Sequence, residues 1–233
     1  MKMKLGNLDV EMIHHDPIIF TVASIVSEPE CNHLKNLAFK DMKRSTVSGF
    51  DKENQKRNLL DGRRTSSDCW IGHSHDEITE EVGNRIADLV QLPLVHAESF
   101  QVVYYQSTQE YQAHLDTFDP SIKEYSYYLK NGGQRIITAL LYLNDVEEGG
   151  ETNLNSGFSF FDVGAGVSFN YAKGESNIAA HDMFIVNVGF AFHHLNRSEL
   201  TFSTIDNWYP KLVAPHSVVK PVKSDATIFF IPP

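Results

Sequence analysis

From residue 98 onward the chain is a series of short β-rich segments, and this feature limits its possible folds most. Clusters of Gly, Asn, Asp and Pro, which favour turns, separate the segments. The predicted strands are Phe100–Tyr105, 135–144, 167–171, 183–188 and 226–231. Many short strands in succession are typical of a β-sandwich or a closed β-barrel.

The part of the chain before residue 98 carries a predicted strand at 17–27 and two helix signals. Ser27 and Glu30 have the spacing of a capping box, and Pro29 is tolerated in a first helical turn. Apolar residues four, four and three positions apart predict a second helix: Ile78, Val82, Ile86 and Leu89. Helices followed by strands favour an α+β fold in which the helices cover one sheet of the β core.

The charge balance and the absence of targeting signals restrict the function classes. The formal net charge is −10, which disfavours a surface that follows nucleic-acid phosphates. No apolar run approaches the ~20 residues of a membrane span, and residues 1–7 lack the apolar stretch of a signal peptide. The sequence therefore predicts a soluble, cytoplasmic protein that binds neither nucleic acid nor membrane.

His114-Leu115-Asp116 is the leading candidate for a metal site. On a strand, residues i and i+2 point to the same face, so His114 and Asp116 can converge on one ion. Imidazole and carboxylate, completed by a distant second histidine, form the facial triad of non-haem Fe(II) oxygenases. A second His-x-Asp match, His14-His15-Asp16, has no strand leading into it and is interpreted as solvated.

The surroundings of His114 resemble a known family. The segments that carry the resemblance are 104–118, Glu30-Cys31, Arg64-Thr65-Ser66, 85–101, 133–145 and 147–152. Together they are similar to the prolyl 4-hydroxylases, which are Fe(II)- and 2-oxoglutarate-dependent dioxygenases. The resemblance spans about residues 18–153. It implies a double-stranded β-helix (jelly-roll) core at about 98–231 and helical support at about 27–92, in one domain of residues 1–233.

The same resemblance implies the cofactors and several site residues. They are Fe(II), 2-oxoglutarate as co-substrate, O₂, and ascorbate as the reductant, with His114 and Asp116 as iron ligands. In this family a tyrosine ten residues before the first histidine lines the 2-oxoglutarate pocket, a place that Tyr104 holds. Thr138 and Tyr142, four residues apart on one strand face, would line the same pocket.

The third iron ligand is less well defined, because the second half of the chain departs from the family pattern. Members carry a Lys or Arg about ten residues after the distal histidine, and no candidate histidine here has one. His216 is favoured, because it precedes the last predicted strand; His181, His193 and His194 stay open. Lys223, with Lys220 as the second choice, is the nearest cation for the far carboxylate of 2-oxoglutarate.

The resemblance implies hydroxylation of a C–H bond, with a proline-containing peptide or protein as substrate. Arg64 and Trp70, in a polar segment at 41–72, could line a peptide groove or could only pack locally. Two alternatives stay open: the same chemistry on a free amino acid or small metabolite, and a non-catalytic binding module.

Overall fold

The computed structural model describes residues 2–15, 18–130, 133–146, 149–155, 166–170, 183–192, 216–220 and 222–230. It contains two α-helices, α1 (Glu28–Phe39) and α2 (Glu77–Val90), within these ranges. The predicted capping box is confirmed, because the Ser27 N–H donates to Glu30 Oε2 at 2.6 Å and the Glu30 N–H to Ser27 Oγ at 3.4 Å. Asp76 caps α2 in the same way through Thr79.

Fifteen strands are present in the described part of the chain. The first seven are β1 (Lys2–Leu5), β2 (Leu8–His15), β3 (Ile18–Val22), β4 (Lys43–Arg44), β5 (Val47–Asp51), β6 (Lys56–Leu59) and β7 (Ser67–Ile71). The other eight are β8 (Phe100–Tyr105), β9 (Tyr111–Leu115), β10 (Gln134–Tyr142), β11 (Glu151–Asn155), β12 (Gly166–Asn170), β13 (Met183–Phe192), β14 (His216–Val219) and β15 (Ala226–Phe230). Two short 3₁₀ segments lie at Leu94–His96 and Lys123–Lys130.

Strands β8 to β15 form the core and are divided between two antiparallel sheets. The large sheet has the order β1-β2-β3-β15-β10-β13-β8-β7-β4, and the small sheet has the order β14-β11-β12-β9. The chain thus passes repeatedly from one sheet to the other, as in a double-stranded β-helix. The predicted α+β fold with this core is confirmed, and β1–β3, β4 and β7 extend its large sheet.

The two faces of the large sheet have different roles. Val102, Leu141 and Ile228 point outward and share a buried cluster with residues of both helices, among them Leu34 and Ile86. Val103, Leu140 and Ile185, which are adjacent in sequence to Val102, Leu141 and Val186 of the outer cluster, form a second cluster on the inner face. Because side chains alternate along a strand, the inner face is left to build a site between the two sheets.

No helix in the described part of the chain is long and apolar enough to cross a membrane. The cellular location of the protein stays a prediction.

Candidate functional site

The inner face of the large sheet forms the floor of a cavity of about 820 Å³. Three strands supply that floor with alternate side chains, namely Gln101, Val103 and Tyr105 of β8, Thr138 and Leu140 of β10, and Ile185 and Asn187 of β13. Strand β9 of the small sheet supplies the opposite wall, which includes His114 and then Asp116. A cavity of this size is in the usual range for ligand sites.

His114 and Asp116 face each other inside this cavity. His114 Nε2 lies 3.4 Å from Asp116 Oδ1. The other ring nitrogen, Nδ1, lies 2.9 Å from the Gln112 carbonyl oxygen. A carbonyl only accepts hydrogen bonds, so Nδ1 carries the hydrogen and Nε2 of the neutral ring has a free lone pair. Two acceptor atoms so close together favour a proton or a cation between them.

Asp116 is buried, and a hydroxyl donor, an imidazole and a cation lie near its carboxylate. Its Oδ2 accepts a hydrogen bond of 2.8 Å from the Thr138 hydroxyl. Burial alone would raise the pKa of Asp116, but the contacts with His114, the charge of Arg135 and the Thr138 hydrogen bond together lower it. The carboxylate is therefore kept ionised, with Oδ1 directed toward His114.

Arg135 reaches the same cavity because of a β-bulge. The ladder between β10 and β13 shifts between Arg135 and Ile137, so that Arg135 lies on the same face as Thr138. Its guanidinium makes two hydrogen bonds to the carboxylate of Glu98, at 2.8 and 2.9 Å. Burial alone would lower the pKa of Arg135, but Glu98 and Asp116 hold it above its ordinary value. Arg135 therefore stays charged beside Asp116.

The His114 imidazole is packed in a three-layer stack. Its centroid lies 3.6 Å from that of the Tyr111 ring, with an interplanar angle of 14°. The guanidinium carbon of Arg64 lies 4.6 Å from the same Tyr111 centroid. Since His114 covers one face of Tyr111 so closely, Arg64 covers the other. The stack fixes the plane of the imidazole.

Two surface excursions meet at the mouth of the cavity, and we call the structure that they form the arch. It consists of the β5–β6 hairpin and the 3₁₀ segment Lys123–Lys130. The Tyr128 hydroxyl lies 3.0 Å from the Gly49 carbonyl oxygen and accepts the Gly49 N–H at 3.1 Å. The guanidinium carbon of Arg57 lies 4.1 Å from the Tyr127 ring centroid. Both excursions contribute lining residues, and the 3₁₀ side of the arch is rich in tyrosine.

The residues predicted to bind 2-oxoglutarate occupy different positions. Thr138 lines the cavity and contacts Asp116. Tyr142 lies on the same strand face, and its hydroxyl lies 2.8 Å from Thr152 Oγ1 and 3.4 Å from Thr227 Oγ1. Tyr105, rather than Tyr104, lines the cavity, because the β8 side chains on the inner face are the odd-numbered ones.

The structure does not bring the other predicted residues together with His114. The strand order places His216 opposite Asn155, Asn155 opposite Gly166, and Gly166 opposite Leu115. At roughly 4.8 Å per strand, the backbone of His216 lies about 14 Å from that of Leu115. Lys223 is bound to Glu28 Oε1 at 2.6 Å and is not among the described residues that line the cavity.

The remaining candidates for the third ligand, His181, His193 and His194, lie outside the described residues. Among the residues that are described, no group of three or more His, Cys, Asp or Glu side chains could hold a metal ion. His114 and Asp116 thus remain two predicted metal ligands, and the third ligand stays a prediction.

Sequence reasoning missed several residues that shape the site. Glu98 and Arg135 are 37 positions apart and form a pair only through the fold. Tyr111 was not singled out, although its spacing of three from His114 is visible in the sequence. Gln101 and Asn187 are polar residues in otherwise apolar strands, and that contrast could have marked the cavity face.

Comparison with known proteins gives a consistent result. Residues 100–230 match the family described as the 2OG-Fe(II) oxygenase superfamily. A relative named probable prolyl 4-hydroxylase 8, from Arabidopsis thaliana, is 41% identical over 150 residues, which are 63% of this chain and 49% of the relative. Prolyl 4-hydroxylase 5 from the same plant is 38% identical over 147 residues, which are 63% and 48% of the two chains.

The chain spans about half the length of the curated relatives that it matches. Among solved structures, it is similar to a viral collagen prolyl hydroxylase from Paramecium Bursaria Chlorella virus-1, solved as a 2OG complex. That similarity has a TM-score of 0.47 at 18% identity and covers 75% of this chain and 96% of the viral one.

Proposed function

Because the chain belongs to the 2OG-Fe(II) oxygenase superfamily, we propose that it hydroxylates a C–H bond of a peptidyl proline, with Fe(II), 2-oxoglutarate and O₂. The observation that carries the proposal is the pairing of His114 with Asp116 inside a cavity large enough for a ligand. The names of its relatives indicate proline as the target.

The donor atoms suit Fe(II). His114 offers the lone pair of Nε2 because Nδ1 is committed to the Gln112 carbonyl, and Asp116 offers Oδ1 because Oδ2 accepts from Thr138. Imidazole and carboxylate are the ligand types of non-haem Fe(II) oxygenases. When bound, the iron supplies the oxidising chemistry with 2-oxoglutarate and O₂. The chain's own residues hold the two ligands in place and exclude bulk water.

The third ligand and the residues that bind 2-oxoglutarate are part of the proposal. His181, His193, His194 and His216 are tested by substituting each with alanine and titrating the protein with Co(II). The variant whose bound Co(II) has a changed visible absorption spectrum, because one ligand is lost, identifies the third ligand. For 2-oxoglutarate we propose Thr138 and Tyr142, with Tyr105 replacing Tyr104. Lys223 could bind the far carboxylate of 2-oxoglutarate only after its ion pair with Glu28 breaks.

The shape of the cavity supports a peptide substrate over a small metabolite. Its mouth is bordered by aromatic rings of the arch, and the Phe118 and Tyr128 rings stack at 4.9 Å. Proline-rich peptides in the extended polyproline II form dock onto aromatic-lined grooves, and their stiffness lowers the entropy lost on binding. Trp70, half-exposed, also lines the cavity.

The test is succinate formation from 2-oxoglutarate by Fe(II)-loaded protein exposed to air. We expect turnover that a proline-rich peptide stimulates, that ascorbate sustains, and that adds one oxygen atom to proline by mass spectrometry. His114→Ala should abolish it. His75→Ala, at an exposed histidine that does not line the cavity, is the matched control. Iron binding without peptide hydroxylation would contradict the proposal.

A further inference from the structure

Asp116 lies just beyond the end of the strand that carries His114. Strand β9 ends at Leu115, which pairs with Gly166 of β12. The main chain then leaves the small sheet in a bend at 116–117. A residue inside a sheet is held by the hydrogen bonds of its own ladder, but Asp116 has left that ladder. The position of its carboxylate therefore depends on contacts with other elements.

Gln134, the first residue of β10, holds the chain two residues after Asp116. Its Oε1 accepts a hydrogen bond of 3.0 Å from the Phe118 N–H. Its Nε2 donates a hydrogen bond of 2.7 Å to the Phe118 carbonyl oxygen. The side-chain amide thus pairs with both main-chain groups of one residue, as a residue of a neighbouring strand does. We call this pair of hydrogen bonds the clamp, and it fixes both the position and the orientation of the Phe118 backbone.

The clamp is the second of two ties between the segment 116–118 and the large sheet. The first is the hydrogen bond of 2.8 Å from Thr138, also on β10, to Asp116 Oδ2. A single hydrogen bond to Oδ2 leaves the carboxylate free to swing about that contact. A main chain that is fixed two residues further on restricts the Cα of Asp116 as well. Gln134 therefore limits where Oδ1 lies relative to His114 Nε2, which is 3.4 Å away.

A small displacement of Asp116 is enough to matter for a metal ion. The distances from a metal to its ligand atoms vary by only about 0.2 Å within one type of site. Residues that orient the ligands of a metal therefore change its affinity without touching it. We propose that Gln134 is a positioning residue of the metal site, which places Asp116 through the main chain of Phe118. This inference rests on the proposed function, because that function supplies the metal.

Gln134→Met removes both hydrogen bonds of the clamp and keeps a side chain of similar length. The Kd for Co(II), measured by calorimetry well below the unfolding transition, should rise about tenfold. The visible absorption spectrum of the bound Co(II) should also change. Tm should fall by about 4–8 °C, but lower stability alone leaves the Kd of the folded protein unaltered. Gln134→Asn, whose amide is one methylene too short for both bonds, should give the same shifts if the methionine variant does not fold.

Gln109→Met is the matched control, because it is the same substitution just before β9. Gln109 Oε1 accepts the Gln106 N–H at 2.8 Å, and Gln109 is not among the described residues that line the cavity. We expect this variant to bind Co(II) as wild type does.

Asp116→Ala tests the route by which the clamp acts. In the Asp116→Ala background, Gln134→Met should weaken Co(II) binding no further, because the residue that the clamp positions is gone. A tenfold loss that persists without Asp116 would show that Gln134 acts by another route and would refute the inference.

The outcomes separate this inference from the proposed function. If Gln134→Met weakens Co(II) binding but wild type hydroxylates no peptide, the positioning role stands and the proposed function fails. If wild type hydroxylates the peptide and Gln134→Met binds Co(II) as wild type does, the function stands and the positioning role is refuted. A variant in which only Tm changes, or a wild type that binds no Co(II), also refutes the positioning role.

Discussion

The hydrogen bond from Thr138 to Asp116 should contribute strongly to the stability of the metal-free protein. Both residues are almost fully buried, with 1% and 5% exposed, and the acceptor is an ionised carboxylate. Hydrogen bonds to charged groups contribute roughly 1.5–3 kcal/mol. Thr138→Val keeps the side-chain shape and removes the donor. We expect it to lower the free energy of unfolding by about 2 kcal/mol and Tm by about 4–8 °C at pH 7.

The effect should depend on pH in a defined direction. The pKa of Asp116 is lowered in the folded protein, so this group stabilises the fold above its unfolded pKa of about 3.9. That stabilisation is lost as the pH falls through the folded pKa. Removing the Thr138 donor raises the folded pKa. The difference between Thr138→Val and wild type should therefore be largest near neutral pH and shrink below about pH 4.

Urea denaturation in the presence of EDTA, repeated from pH 7 to acid, measures both effects. Thr152→Val is the matched control, because Thr152 shares a 2.8 Å hydrogen bond with the uncharged hydroxyl of Tyr142. This control substitution should lower the free energy of unfolding by about 1 kcal/mol, and the loss should depend little on pH. A Thr138→Val variant as stable as wild type at pH 7, or a loss that stays constant into acid, would refute the reasoning.

Three further outcomes are expected. Ser27→Ala removes the cap of α1 and should lower the free energy of unfolding by about 1 kcal/mol in urea titrations. Burial alone would raise the pKa of Glu30, but its hydrogen bonds with Arg85 and Ser27 lower it to about 2. Wild type should thus lose stability as the pH falls from about 4.3 toward 2, and this loss should be smaller in Glu30→Gln. Tyr111→Leu should weaken Co(II) binding about tenfold, whereas Tyr111→Phe, which keeps the stack on His114, should bind as wild type.

Features set by neighbouring residues were predictable from the sequence. The capping box of Ser27 and Glu30 depends on three consecutive peptide units, and α2 depends on an apolar period within one helix. Strand β8 was predicted with the bounds that the structure has, because its composition favours a strand. His114 and Asp116 were also predictable as a pair, since two residues on one strand share a face whatever the rest of the fold does.

Features that depend on distant segments were not predictable. Tyr104 and Tyr105 are chemically alike, so composition could not show which one faces the cavity. The bulge at Arg135 breaks the two-residue period of β10 and moves that side chain to the inner face. The separation of His216 from His114 follows from strand order, which no local pattern encodes. The β1–β2 hairpin was missed although residues 2–5 and 8–12 alternate polar and apolar side chains around Gly6-Asn7. The interpretation of His14 as solvated with no strand before it was therefore wrong, because β2 leads into His14 and His14 is buried.

The arch has a consequence for how a long polypeptide could reach the cavity. Because Tyr128 joins the hairpin to the 3₁₀ segment through Gly49, the two walls of the mouth form a loop that is closed on itself. An internal stretch of a folded protein has no end to pass through such a loop. If the proposed peptide substrate passes beneath the arch, capture of a mid-chain target requires the Tyr128 contact to break and re-form in every cycle. The arrival rate of long substrates would be set by this opening, while short peptides with free ends could thread directly.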